Sequence, residues 1–176
     1  MKVLVLSTGG TIDAAAYPED SEPPVHSTAT DDHRAAKALE NIAHHSGLDI
    51  ELHYNEICNK DSKFISEHDR MILERTVLTK GSDYQRIIVT IGTDCMTDVA
   101  QDLAQRLHNQ VDCPVVFTGA IWPLANADRS DGIANLRLAL LSEPQAKPNI
   151  YIAMHELFLP CTEIRKNFEK KKFYKV

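Results

Sequence analysis

The 176-residue chain reads as a doubly wound α/β domain. It is expected to be a mainly parallel sheet with helices on both faces, a three-layer sandwich of Rossmann or flavodoxin type. Three observations predict this. Strand-like apolar runs alternate with segments of helical periodicity, the pattern of parallel strands joined by crossover helices. The run over 85–91 is β-branched from Ile87 to Ile91, which suits a buried central strand. Several strand-like runs end in glycine turns, and an open α/β sheet binds its ligands at the carboxyl ends of its strands.

The elements follow in order. Residues 2–7 form the first strand and run directly into Thr8-Gly9-Gly10-Thr11. Residues 17–30, rich in Pro, Ser and acids, read as a long mobile loop. Over 30–46, Ala35, Ala36, Leu39, Ile42 and Ala43 recur at helical spacing, and Gly47 supplies a stop. Residues 49–54 alternate as a second strand. A helix opens at Ser66, with Asp69 three positions on to close a capping box, and runs through Leu78. The central strand over 85–91 leads to an amphipathic helix over 93–108, on which Val99, Leu103 and Leu107 share a face. Residues 114–118 form the next strand, 131–141 the next helix and 149–154 a fifth strand.

One ordinary domain accounts for a chain of this length. The formal net charge of −6 argues against general affinity for nucleic acid. Charge is unevenly spread: residues 165–176 hold six Lys/Arg and one acid, and a solvated basic face is the expectation there. The four cysteines lack CxxC spacing and are expected to be buried free thiols in a reducing compartment. No apolar run approaches the roughly 18 residues a membrane span needs, and a cytoplasmic protein is expected.

Three strand ends carry the candidate chemistry: Thr8-Gly9-Gly10-Thr11, Gly92-Thr93-Asp94, and Thr118-Gly119-Ala120 with the following Arg129-Ser130-Asp131-Gly132. Gly-adjacent threonines, a carboxylate and a nearby cation suit acyl transfer, in which one hydroxyl attacks and a Lys–Asp pair helps move its proton. Metal chemistry finds no comparable pattern. Glu40 and His44 lie one helical turn apart without a third ligand, and His155-Glu156 is not followed by a second His at metalloprotease spacing. Neither GxGxxG nor GxxxxGK[ST] occurs, so no cofactor is expected. Trp122 is expected to serve packing.

Taken together, TGGTI at 8–12, GTD at 92–94 followed by Met96, and VVFTGA at 115–120 followed by RSDGIANL at 129–136 resemble the bacterial-type L-asparaginase family. Asp61-Ser62 is similar to that family's substrate-binding Asp-Ser element, and Glu163-Ile164-Arg165-Lys166 to the segment that holds its catalytic lysine. The resemblance implies that Thr11 is the nucleophile and Thr93 the second catalytic threonine. Asp94 and Lys166 would form the proton-handling network. It further implies that Asp94 binds a substrate α-amino group, and that Ser62 and the backbone at Gly10 hold the α-carboxylate. Backbone N–H groups of Thr93 and Ala120 would be the oxyanion donors.

The chain departs from the family pattern at several positions. Ile91 stands where members usually have His, Lys63 where they tend to have a smaller polar residue, and Tyr17 lies closer to Thr11 than the family's loop tyrosine. The resemblance spans only the amino-terminal domain of a typical member, so residues 1–176 are expected to form that single domain without the smaller second one. The expected function is hydrolysis of L-asparagine or a related small carboxamide through a threonyl ester, by a homo-oligomer without nucleic-acid or membrane partners. The alternatives are a non-catalytic amino-acid-binding or regulatory domain of the same fold, and a phosphate-binding flavodoxin-like module.

Overall fold

The structure is a computed structural model that describes residues 1–18, 20–22, 30–108, 110–144 and 150–176. The loop expected over 17–30 lies largely outside these. Five parallel strands form the body of the sheet: β1 (Lys2–Ser7), β2 (Glu51–Glu56), β3 (Arg86–Thr90), β4 (Val115–Thr118) and β5 (Ile150–Met154). β6 (Leu157–Pro160) adds an antiparallel edge, giving the order β2-β1-β3-β4-β5-β6. This is the doubly wound α/β fold, and β1 and β3 are neighbours from which the chain winds in opposite directions. A ligand crevice belongs outside their carboxyl ends.

Strand alternation splits the core into two layers. On one face Leu4, Leu6, Val89 and Phe117 pack with residues of α2 (Glu67–Lys80) and α3 (Met96–Leu107). On the other, Val3, Val5, Ile88 and Val116 pack with α1 (Arg34–His45) and α4 (Gly132–Leu141). β3, β4 and β5 are buried along their whole lengths, including Arg86, whose guanidinium donates to the Ala139 and Leu140 carbonyls.

Helix starts differ from the sequence expectation for identifiable reasons. α1 begins at Arg34 rather than at 30. Thr30 donates both its backbone N–H and its hydroxyl to the Asp13 carbonyl, and His33 is left-handed at φ 48°. α3 begins at Met96 rather than at 93. Thr93 and Asp94 therefore lie in the turn that precedes it. α2 has the expected capping box: Ser66 Oγ accepts from Asp69 N, while Asp69 Oδ2 accepts from Ser66 N at 2.7 Å.

Beyond β5 the chain forms structure that the periodicity does not announce. β6 follows a two-residue turn, His155-Glu156, at φ 50° and 68°. Then β7 (Ile164–Asn167) and β8 (Lys172–Lys175) pair as a separate antiparallel hairpin. The basic segment expected to be a solvated face is this hairpin. Ile164 and Phe173 anchor it in the core beside α3, and Gln101 of α3 donates to the Cys161 carbonyl at its base, 2.8 Å away. All four cysteines are free; Cys113 and Cys161 are buried, whereas Cys58 and Cys95 are only half-buried, not fully buried as expected. No helix among the described residues is long and apolar enough to cross a membrane.

Candidate active site

The loops after β1, β3 and β2 are drawn together by close backbone approach. Gly10 is at φ 91°, and a Cβ there would overlap the Gly92 nitrogen, so the Gly-Gly turn after β1 lies directly on the turn after β3. Gly92 in turn lies on Ser62, whose Oγ would sit 2.9 Å from an added Cβ. The same Ser62 hydroxyl accepts a hydrogen bond from Cys95 N at 3.2 Å, just ahead of α3. This bond and the glycine contact help hold Thr93-Asp94 out of the helix.

The hairpin supplies the cation. Lys166 of β7 donates from Nζ to Thr93 Oγ1 at 2.8 Å and to Asp94 Oδ1 at 2.5 Å, joining residues more than seventy apart in sequence. Its side chain is only 6% exposed. Its register partner is Phe173, whose ring is buried in the core, so the strand that carries the ammonium is fixed from below. Lys63 pairs with the other oxygen of the same carboxylate, Nζ to Asp94 Oδ2 at 2.7 Å. Burial pushes the Asp94 carboxyl up, but the hydrogen bonds from Lys166 and then Lys63 outweigh it and hold the group below the ordinary carboxyl value. The same pairing raises the Lys63 ammonium above its ordinary value.

A fourth loop, after β4, is held by a separate network. Asp131 Oδ1 accepts from the backbone N–H of Ile121 at 2.9 Å and of Trp122 at 3.1 Å. Its Oδ2 accepts from Asn135 Nδ2 at 2.8 Å and lies 3.1 Å from His155 Nε2. Phe173 N donates to His155 Nδ1, which leaves Nε2 as the protonated nitrogen facing Asp131. Asn135 also donates to the Gly119 carbonyl at 3.0 Å. These bonds fix the segment carrying Ala120, which lies against Ile91 through Gly119.

A family model described as "Asparaginase, N-terminal" matches residues 2–172. The chain belongs to the asparaginase family. It is 31% identical over 170 residues to an L-asparaginase of Thermococcus kodakarensis, an alignment that takes in 94% of this chain and 48% of that protein. The solved structure of the thermostable L-asparaginase from Thermococcus kodakarensis superposes with a TM-score of 0.74 at 27% identity, covering 100% of this chain and 51% of that one. The probable cytoplasmic L-asparaginase from Campylobacter jejuni shares the fold at a TM-score of 0.79 and 24% identity, covering 99% of this chain and 52% of that one. The chain thus spans about half the length of the relatives it matches.

Within this asparaginase-family chain, the residues singled out by sequence are arranged as follows. Thr93, Asp94 and Lys166 are in direct contact. Gly10 and Ser62 meet at Gly92. Thr11 follows Gly10 and opens a short 3-10 turn over Thr11–Asp13, half-buried, with its carbonyl accepting from Ala14 N. Ala120 is buried in the loop braced by Asp131 and Asn135. Tyr17 is tied through its backbone to Asn126: its N–H donates to Asn126 Oδ1, and its carbonyl accepts from Asn126 Nδ2. Ile91 packs its side chain in the α2–α3 core, and its backbone N–H donates to the Thr118 carbonyl at 3.0 Å. Trp122 is not core: it is half-buried, with the Arg129 guanidinium 3.6 Å above its ring.

Sequence reasoning missed two parts. Lys63, a departure from the family pattern, reads in sequence as a residue that attracts a substrate carboxylate or faces water, and nothing local marks it as a partner of Asp94. The Asp131–Asn135–His155 brace was half visible: Asp131 and Asn135 stand one helical turn apart in RSDGIANL, whereas His155 comes from the unannounced β5–β6 turn. No group of three or more His, Cys, Asp and Glu among the described residues is arranged to hold a metal ion.

Proposed function

We propose that the chain forms the amide-hydrolysing half of an asparaginase-type enzyme, cleaving a small carboxamide to its acid and ammonia through a threonyl ester. The observation that carries the reading is the Lys166 ammonium shared between Thr93 Oγ1 and Asp94 Oδ1. A buried lysine on a hydroxyl and a carboxylate together is a proton relay as well as an ion pair. Thr11, carried to the same crevice by the Gly10–Gly92 contact, is the nucleophile.

In the forward direction the Thr11 hydroxyl attacks the amide carbonyl carbon, and its proton passes through the relay to the departing nitrogen, which leaves as ammonia. The backbone N–H groups of Thr93 and Ala120 bind the oxyanion that develops. Such donors contribute a few kcal/mol each because they are already oriented when charge appears. Water then attacks the Thr11 ester and restores the hydroxyl, releasing the acid. Gly10 and Ser62 position the substrate carboxylate. A partner subunit in a homo-oligomer would close the open side of the crevice.

Ammonia release by purified protein and by Thr11→Ala tests the reading, with L-asparagine, L-glutamine and related amides as substrates. Turnover by the wild type that Thr11→Ala abolishes supports it. Background rates on every amide, or equal rates in the two proteins, overturn it.

A further inference from the structure

The Asp94 carboxylate is held by two ammonium groups of different character. Lys166 reaches Oδ1 from the interior. Lys63 reaches Oδ2 from the solvent side, where its side chain is 36% exposed and that of Asp94 is 27% exposed. The Lys63 backbone is fixed as well, because its N–H donates to Asp61 Oδ1 at 3.0 Å within the Ser62–Phe64 turn. Both oxygens of the relay's carboxylate are therefore already paired with cations.

That arrangement bears on charge selection. A third ammonium approaching Asp94 meets one negative charge and two positive ones. A carboxylate approaching Lys63 meets the same three charges with the favourable sign. Asp61 stands behind the turn, with Oδ1 committed to the Lys63 backbone. Its charge brings the count to two acids and two ammonium groups, so the selection rests on placement: both Asp94 oxygens are already paired, and Lys63 stands on the solvent side of them.

We propose that Lys63 is a specificity-determining residue that turns the site from amides bearing an α-ammonium group toward dicarboxylic-acid monoamides that lack one. The class is represented by succinamate, with succinate as its product. The inference rests on the hydrolase reading above and names its substrate class. Lys63 meets the substrate carboxylate and excludes an ammonium from Asp94.

The test compares wild type, Lys63→Ala and Lys63→Arg in two measurements. Calorimetry reads binding of succinate and L-aspartate, which needs no turnover. Steady-state kinetics read kcat/KM for succinamate and L-asparagine. The wild type is expected to bind succinate at least about tenfold more tightly than L-aspartate and to show the same preference between the amides. Lys63→Ala is expected to erase or invert both preferences, and Lys63→Arg to retain them. A merely structural role would weaken both ligands together and leave the ratio unchanged. An L-aspartate preference in the wild type, an unchanged ratio in Lys63→Ala, or no binding of either ligand overturns the inference. Selective succinate binding without ammonia release from succinamate sinks the hydrolase reading alone. Ammonia release that favours L-asparagine sinks only the inference.

Discussion

Asp94 and Asp131 follow neighbouring strands, β3 and β4, and both precede a helix, yet they are satisfied in opposite ways. Asp94 takes its partners from two lysines, one on the short turn at 62–64 and one on the distant hairpin. Asp131 takes two backbone N–H groups, an amide and an imidazole, all serving to hold one loop. Burial pushes both carboxyls up, and in both the hydrogen bonds prevail and keep the group ionised below its ordinary value. The depression of the carboxyl therefore does not separate chemistry from architecture. The partners differ: two lysine ammonium groups at Asp94, and at Asp131 backbone and amide donors with one imidazole that is itself held by Phe173 N.

The largest effect should come from breaking the first arrangement. Asp94→Asn keeps the shape but removes the charge that balances Lys166, and hydrolysis is expected to fall by about 10²–10⁴-fold, the range of a lost acid–base partner. Steady-state ammonia release checks it, and a loss below tenfold would remove Asp94 from the relay. The acid side of the pH profile sharpens the point. Because the folded-state carboxyl lies below its ordinary 3.8, activity should persist down to that value and be lost only as pH falls further, through the depressed value. Lys63→Ala removes one of the two lysine hydrogen bonds that depress it, so the acid limb of kcat/KM should move to higher pH. A limb that stays in place would assign it to another group.

Asp131→Asn should invert the pattern, with stability lost first. Four donors converge on one carboxylate, and an amide presents an N–H₂ to some of them, so a cost of about 3 kcal/mol is expected. For a chain of this size that corresponds to roughly 6–12 °C in Tm. Since the folded-state pKa is depressed, the stabilisation from Asp131 is present above the ordinary carboxyl range and is lost as pH falls through the depressed value. Calorimetric melts of wild type and Asp131→Asn across that range should therefore converge toward the acid end. A variant with unchanged Tm would show that the loop carrying Ala120 is held by other contacts.

The same contrast explains what was legible in sequence. Apolar runs give the parallel strands, periodicity gives α1 and α3, and the capping box gives the start of α2. Gly10, Thr93 and Asp94 sit where strand ends and glycine turns place them, whereas Ser62 comes from the resemblance. The terminal hairpins escaped because their turns lack the usual residues. His155, Glu156 and Lys171 are at positive φ, where Asn or Gly is the common signal. β7 and β8 are also short and charged, and only Ile164 and Phe173 reveal a buried face. Lys166 was found through the resemblance alone, because a basic run gives no sign that one of its lysines turns inward. The Lys63–Asp94 pair was invisible for a related reason: a contact between two loops leaves no mark in the periodicity of either.

Asp69 combines features of both carboxylates and gives the smallest test. Lys60 Nζ lies 2.6 Å from Asp69 Oδ2, as a lysine does at Asp94, yet the same oxygen accepts from Ser66 N and Ser66 Oγ, closing the capping box of α2. Burial pushes this carboxyl up too, but the bonds from Lys60 and Ser66 bring it down to about 2. If a lysine partner were enough to make a carboxylate catalytic, disturbing this cluster would slow hydrolysis. Ser66→Ala is instead expected to cost about 1 kcal/mol of stability, the usual value of a lost N-cap, with turnover per folded molecule unchanged. The stabilisation from Asp69 is fully present above its ordinary 3.8 and is lost as pH falls toward about 2, so the variant should unfold earlier on acidification through that window. Acid titration followed by circular dichroism, beside ammonia release at neutral pH, separates the two effects. Loss of turnover without loss of stability would place Asp69 with Asp94 and break the distinction drawn from their partners.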